Sequence, residues 1–284
     1  VANADAVTIT ENANATLNVL ANDTDVDLLD THTLSNVSHA KAIIVNNELV
    51  FNPGTAFDYL ALGETVDVVI NYTMEDNHGA TSSSTATITI NGTNDGPTIV
   101  SATNASNSLT ENPSVAITGN INVSDVDVSN IVNAAITANA NGGTYTGTFN
   151  GAALVALSSN PVINNSSTTG TLAWIFNNGA AEQFDFLAEG ETLVLNYTVT
   201  LTDSAGATAT QNLQFTITGT NDGPVAVADM GATTENAIVT IDVLANDTDV
   251  DLIDTHTLTN VSHANASIVN NELVFNPGTA FDYL

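Results

Sequence analysis

The sequence predicts an all-β chain of tandem Greek-key β-sandwiches in an elongated array, on three observations. Apolar residues alternate with polar ones at a period of two, Asn, Gly and Pro turn signals recur at roughly ten-residue spacing, and a long segment occurs twice. No segment carries a convincing amphipathic-helix period.

The alternation is clearest in two places. Val66, Val68, Ile70 and Tyr72 alternate with Asp67, Val69 and Asn71, and Leu193, Leu195, Tyr197 and Val199 repeat the pattern. "TATITINGT" and "LQFTITGT" alternate as well, as half-buried strands should. "AIIVNNELVF" reads as a hairpin turning at Asn46–Asn47, because Asn tolerates the left-handed conformation that a tight turn needs. Phe51, Phe57, Tyr59 and Trp174 are read as core residues.

Residues 1–60 align without a gap to 225–284, with 13 differences and therefore 47 identities. The linker "GTNDGP" recurs as Gly92–Pro97 and Gly219–Pro224. It divides the chain into unit A (1–96), unit B (97–223) and a truncated second copy of unit A (224–284). Unit B shares the punctuation. "TEN" stands at Thr10–Asn12, Thr110–Asn112 and Thr234–Asn236; "DVD" stands at Asp25–Asp27, Asp125–Asp127 and Asp249–Asp251. "FDYLALGET" in unit A matches "FDFLAEGET" in unit B. The second copy has no counterpart of residues 61–96, so it is expected to expose a sheet edge and an apolar face unless further chain or a partner completes it.

Composition narrows the function. The chain has 31 acidic side chains, one basic one and a formal charge of −30. A field this negative disfavours nucleic acid and anionic membrane surfaces as partners. No apolar run approaches the ~20 residues that span a bilayer. With no cysteine, disulfides, thiolate metal sites and cysteine nucleophiles are excluded. The sole lysine, Lys41, becomes Asn265 in the second copy, so a Lys–Asn covalent staple cannot be a general reinforcement.

Those carboxylates need cations from solution. Two like charges ~4 Å apart repel by about 4 kcal/mol at an effective dielectric of 20. "DTDVDLLDTHTL" begins like an EF-hand loop, but position six is Leu28 instead of Gly and position twelve is Leu34 instead of Glu. That reading fails. What recurs in matched order is the Glu of TEN, an Asp before a turn Gly, the linker Asn–Asp and the DVD pair. Hard oxygen donors in such numbers suit calcium. The expected A–B junction set is Glu11, Asp76, Asn94, Asp95, Asp125 and Asp127; the B–A′ set is Glu111, Asp203, Asn221, Asp222, Asp249 and Asp251. Asp25, Asp27 and Glu235 occupy the same motif positions at the outer ends.

"VLANDTDVD", "GTNDGP" and "FDFLAEGET…LTDSAGATATQ" resemble the cadherin-like and VCBS-type repeats of giant bacterial RTX adhesins. Unit B is closest to the VCBS type and unit A to the tandem cadherin-like type. The resemblance covers essentially the whole chain. It implies Ig-like sandwiches in series, Ca2+ at the linkers, type I secretion and display on the bacterial cell surface. "DLLD", where a Gly often follows DVD, and Gly96, where Ala is more usual, depart from the pattern without removing a proposed ligand.

No Ser/His/Asp order repeats between units and no phosphate-cradling Gly-rich loop is present, which argues against an enzyme. The reading reached is an extender that holds a distal adhesive domain away from the cell for attachment or biofilm formation. Its partners are neighbouring repeats. Two alternatives stay open: a self-assembling extracellular filament of identical chains, and a carbohydrate- or protein-binding adhesin module. The second would expose Trp174 in a loop, whereas "TLAWIF" reads as a strand.

Overall fold

The computed structural model describes residues 1–112, 116–150, 154–158, 160–177, 183–280 and 282. The first sandwich contains β1 (Asp5–Thr10), β2 (Ala15–Leu17), β3 (His32–Val37), β4 (Ala42–Val45), β5 (Glu48–Phe51), β6 (Thr65–Asp76) and β7 (Thr81–Asn91). One sheet runs β1-β7-β6-β3 and the facing sheet β2-β5-β4, so sequential strands cross between sheets in Greek-key order. β1 lies parallel to β7, while the other pairs are antiparallel.

The alternation written in the sequence becomes the two faces of each sheet. Val68, Ile70 and Tyr72 of β6 point inward with Ile88 and Ile90 of β7, against Leu49 and Phe51 of β5. Asn46 and Asn47 both adopt positive φ (51° and 66°), closing β4 and β5 into the expected hairpin. Asn270 and Asn271 do the same in the second copy, at 51° and 69°.

The second sandwich contains β8 (Thr98–Ala102), β9 (Ser106–Thr110), β10 (Ala116–Ser124), β11 (Asn133–Ala138), β12 (Gly142–Gly143), β13 (Val155–Leu157), β14 (Thr169–Asn177), β15 (Thr192–Thr202) and β16 (Thr208–Thr218). Its sheets run β13-β14-β10-β8 and β11-β15-β16-β9, with β12 alongside β15. Trp174 lies on β14 and is 1% exposed. It packs edge-on against Phe215, whose ring also stacks on Phe176 at 4.0 Å and meets Tyr197 edge-on at 6.0 Å. Gly119 faces Trp174 across the β10–β14 pair, and a Cβ there would come within 2.3 Å of the indole.

One of the expected core residues is elsewhere. Phe51 is buried and Phe57 packs partly against the core, but Tyr59 is 44% exposed at the end of the first sandwich. Its carbonyl accepts a hydrogen bond from the Val128 N–H of the second sandwich at 3.2 Å. "FDYL" is a turn, and its third side chain looks outward.

The last segment forms the three-stranded sheet β17-β19-β18, from β17 (Val239–Ile241), β18 (Ala266–Val269) and β19 (Glu272–Phe275). Leu273 and Phe275 are half-buried, whereas their counterparts Leu49 and Phe51 are fully buried beneath β6 and β7.

Phe215 is the centre of the second core. Phe215→Ala should lower the stability of that sandwich by about 3–5 kcal/mol. The first sandwich has a separate apolar cluster and should keep its transition, as distant sites add independently. Two-transition thermal unfolding followed by calorimetry checks both statements.

Candidate metal centres

Both sandwiches bring carboxylates to the linker Gly92–Pro97. Glu11 follows β1 and is fully buried. Its backbone N–H bonds the Asn91 carbonyl at 3.0 Å, which continues the β1–β7 pairing and fixes the side chain at the sandwich's trailing end. Glu11 Oε1 accepts the Thr93 N–H at 2.9 Å and the Thr93 hydroxyl. Gly92 is required because a Cβ would lie 2.3 Å from the Leu60 carbonyl oxygen.

The second sandwich answers with its leading end. β10 stops at Ser124, and Asp125 and Asp127 then form a local turn in which Asp125 Oδ1 accepts the Asp127 N–H at 3.1 Å. Asp127 Oδ2 accepts the Asp95 N–H and Asn130 Nδ2, each at 3.0 Å. Asn130 Nδ2 also donates to Asn94 Oδ1 at 3.2 Å, and Asn94 Nδ2 donates to Asp203 Oδ2 at 3.0 Å. Asp203 is oriented by the N–H groups of Ala205 and Ala207 on its Oδ1, at 2.9 and 2.8 Å.

Glu11, Asp125, Asp127 and Asp203 are all buried, with Asp95 half-buried beside them. Glu11 Oε2, Asp58 Oδ1, Asp125 Oδ2 and Asp127 Oδ1 are sealed from solvent, and no described residue donates to them. Buried carboxylate oxygens without donors or counter-charge are costly. Burial pushes the Asp127 carboxyl up to about 7, with repulsion from Asp125, Asp95 and Glu11 adding to it against the hydrogen bond from Asp95. Asp125 is raised by burial, then by Asp203 and Asp95; Asp95 is raised by burial, then by Asp58. The donor set is all oxygen, charged and partly unpartnered, and it fits a hard divalent cation.

The second linker repeats the arrangement. Glu111 is buried, its backbone N–H bonds the Thr218 carbonyl at 3.1 Å, and its Oε1 accepts the Thr220 N–H and hydroxyl. Asp251, also buried, accepts the Asp222 N–H on Oδ2 at 2.9 Å and gives its own N–H to Asp249 Oδ1 at 3.1 Å. Glu111 Oε2, Asp222 Oδ2 and Asp251 Oδ1 are buried without donors among the described residues. Burial raises Asp222, as do Asp185, Asp251 and Asp249 around it; burial also raises Glu111.

Two expected ligands lie at other ends than expected. Asp76 and Asp203 sit at the turns of the β6–β7 and β15–β16 hairpins, and each hairpin's second strand runs back toward its own linker. An 11-residue strand such as β7 spans about 36 Å. The turn Asp therefore lies at the opposite end of its sandwich from the linker that follows it. Asp203 joins the A–B junction, where Asn94 holds it, and Asp76 joins Asp25, Asp27 and Asp30 at the leading end of the first sandwich. There Asp25 Oδ1 accepts the Asp27 N–H at 3.0 Å, and that bond, with His32, holds Asp25 below the usual carboxylate range.

Asn221 is exposed and turns its Nδ2 to the Asp222 carbonyl at 2.8 Å, unlike Asn94. Glu235 Oε1 accepts from the adjacent Asn236 at 3.3 Å, and no hydrogen bond among the described residues ties it to either junction.

Sequence reasoning missed Asp58, Asp185 and Asn130. Asp58 and Asp185 occupy the same place in the matched stretches "FDYL" and "FDFL", a recurrence that could have marked them. Asn130 lies three residues after DVD, where unit A has Asp30.

The sequence profile of the bacterial Ig domain family (Big_9) matches residues 1–90 and 221–283. No curated protein matches the sequence. Among solved structures, extracellular cadherin domains 3–6 of protocadherin gamma B2 align over 84% of this chain and 47% of theirs, at 14% identity and a TM-score of 0.43. The chain thus spans about half the length of that structure. Domains EC1–2 of human mucin-like protocadherin align over 77% of this chain and 98% of theirs, at 15% identity and a TM-score of 0.40.

The raised Asp127 carboxyl gives a signed expectation in chelator. Its folded pKa, about 7, exceeds its ordinary value of 3.8. The contribution is therefore fully present below about pH 4 and lost as pH rises toward 7. Denaturant midpoints of the second sandwich should fall across that window, and Asp127→Asn should flatten the fall. A midpoint that rises with pH in both proteins contradicts the burial argument.

Proposed function

The chain belongs to the bacterial Ig domain family, and from that premise we propose that its repeats are calcium-rigidified extenders of a secreted bacterial cell-surface adhesin. The units of this proposal are 1–96, 97–223 and a partial second copy from 224 to 284. The resemblance to VCBS-type and cadherin-like repeats of RTX adhesins supports type I secretion and a role in attachment or biofilm formation.

The observation that carries the reading is the buried carboxylate oxygens at the linkers that meet no donor among the described residues. At the first linker they come from both sandwiches: Glu11 and Asp58 from one, Asp125 and Asp127 from the other. Glu11, Asp58, Asn94, Asp95, Asp125, Asp127 and Asp203 would hold Ca2+ there; Glu111, Asp185, Asp222, Asp249 and Asp251 would hold it at the second. Bound there, the ion supplies positive charge that neutralises carboxylates from two bodies at once.

The side chains do the rest. Asn94 and Asn130 bridge the linker to Asp203 and Asp127, and the Val128–Tyr59 hydrogen bond adds a contact free of charge. These contacts set an orientation, while uncompensated repulsion pushes against it. A sugar- or protein-binding module is less well supported, because Trp174 is core.

Calcium should bind at millimolar concentrations or below, in the range of extracellular modules, ~10⁻⁴–10⁻³ M. Small-angle scattering should show a longer or narrower distribution of maximum dimension with calcium than with chelator. Asp125→Asn with Asp127→Asn should weaken binding at the first linker and free its angle while the second sandwich stays folded. Superimposable scattering profiles with chelator and with calcium would overturn the extender mechanism.

A further inference from the structure

Four residues differ between 19–60 and 243–284, and the two that change chemistry both lie at β4: Lys41 becomes Asn265 and Ile43 becomes Ser267. β4 is an edge strand, paired among the described residues with β5 alone. Ile43 is 58% exposed, and Ile44 and Val45 are exposed beside it. The Asn52 N–H bonds the Lys41 carbonyl at 3.0 Å. By antiparallel alternation Lys41, Ile43 and Val45 direct their main-chain groups to β5, while the Ile44 N–H and C=O face outward. An aliphatic edge with outward main-chain groups is a template for another strand.

The charge at this edge departs from the rest of a chain of formal charge −30. Residues 31–47 contain no Asp or Glu, and the sole lysine immediately precedes β4. The Lys41 ammonium pairs with no carboxylate among the described residues, where the ion pairs all use histidine. Ala42, opposite Phe51, turns into the core, so Ile43 and Val45 share the outer face with their β5 neighbours Val50 and Glu48. Lys41 is on the same face by alternation. An ammonium at one end of the strand and a carboxylate beside the other end are self-complementary under a two-fold axis.

We propose that β4 is a self-association edge, on which a second copy of this chain adds its own β4 antiparallel and joins the two β2-β5-β4 sheets into one. With Ile43 set against Ile43, Lys41 stands opposite Val45 of the other copy and reaches past it to Glu48 of that copy. Two strand spacings, about 10 Å between backbones, lie within the combined reach of a Lys and a Glu side chain. The only lysine of each chain thus meets a carboxylate of the other, which is why charge selects a second copy as the occupant. The pairing needs no calcium and links extenders side by side. With Asn265 and Ser267 at these positions, the second copy of unit A lacks both attractions.

A short edge buries less than the ~1,200 Å² of a stable interface, so the pair is weak. The test is sedimentation equilibrium on the full chain up to about 1 mM, in ~0.15 M salt, where a Debye length of about 8 Å screens the acids. A dimer should form. Lys41→Asn and Ile43→Ser, substitutions that the second copy already carries in a formed hairpin, should each raise its Kd at least about tenfold. Lys41→Glu should abolish the dimer, and its combination with Glu48→Lys should restore it. Carbodiimide should join Lys41 to Glu48 between chains, seen as mixed-label peptides when isotope-labelled and unlabelled chains are combined. Stronger association in Lys41→Asn would make Lys41 a guard against edge pairing and overturn the proposal. A monomer at every concentration would overturn it too and leave the edge to a strand from another protein. Association untouched by these substitutions would run through another surface, such as the half-buried last sheet, and would equally overturn it.

Discussion

Carboxylates buried where the chain offers no cation to meet them are the constraint on which the architecture depends. With 31 acids and one lysine, a carboxylate shielded from water must find backbone donors, an amide side chain or an ion from solution. The linkers use the first two as far as they go. Thr93 serves one oxygen of Glu11, Asp95 and Asn130 serve one oxygen of Asp127, and Asp125 is tied to the N–H of Asp127. Each side chain then keeps a second oxygen with no donor among the described residues. Repulsion of about 4 kcal/mol per close pair at intermediate dielectric is large beside the 5–15 kcal/mol that holds a domain folded.

The sandwich topology decides which carboxylates meet. Because β1 runs parallel to β7, the Glu that ends β1 arrives at the same end as the linker. The "FDYL" turn before β6 arrives there too, since β6 starts where β7 finishes: Thr65 faces Asn91. The DVD pair and the β6–β7 turn lie at the other end. Each sandwich thus has a trailing face of Glu, Asp and linker Asn–Asp, and a leading face of DVD plus the turn Asp. At the first linker unlike faces meet: Asn94 and Asp95 bond Asp203 and Asp127, and Tyr59 bonds Val128.

Much of this was legible in the sequence. Period-two alternation located the long strands, the Asn pair marked a hairpin, and matched motifs named most of the residues that line the linkers. Asp76 and Asp203 lie away from the linkers that their sequence spacing suggests, because spacing carries no strand direction. A spacing of 18 residues to the linker Asn reads as closeness, yet a straight strand turns it into the length of the domain. Tyr59 reads as a core aromatic in the sequence, but it stands in a turn, which has no alternating faces to obey. Asn130 gave no signal because unit A has Asp there, and the two share geometry but not donor chemistry.

That last difference orders the linkers by their demand for charge. Asn130 donates its amide to Asn94 and Asp127, so unit B's leading end is partly self-satisfied before any ion binds. Asp30 has no amide donor to offer in the same place. Unit A instead sets imidazoles against its carboxylates, His78 against Asp30 and His32 against Asp25, and the second copy keeps the latter contact as His256 against Asp249 at 3.5 Å. An Asn-for-Asp exchange three residues after DVD therefore coincides with loss of both histidines. The two differences occur together: where Asn130 supplies amide donors the matching positions Val132 and Ala205 carry no imidazole, and where Asp30 stands His32 and His78 do.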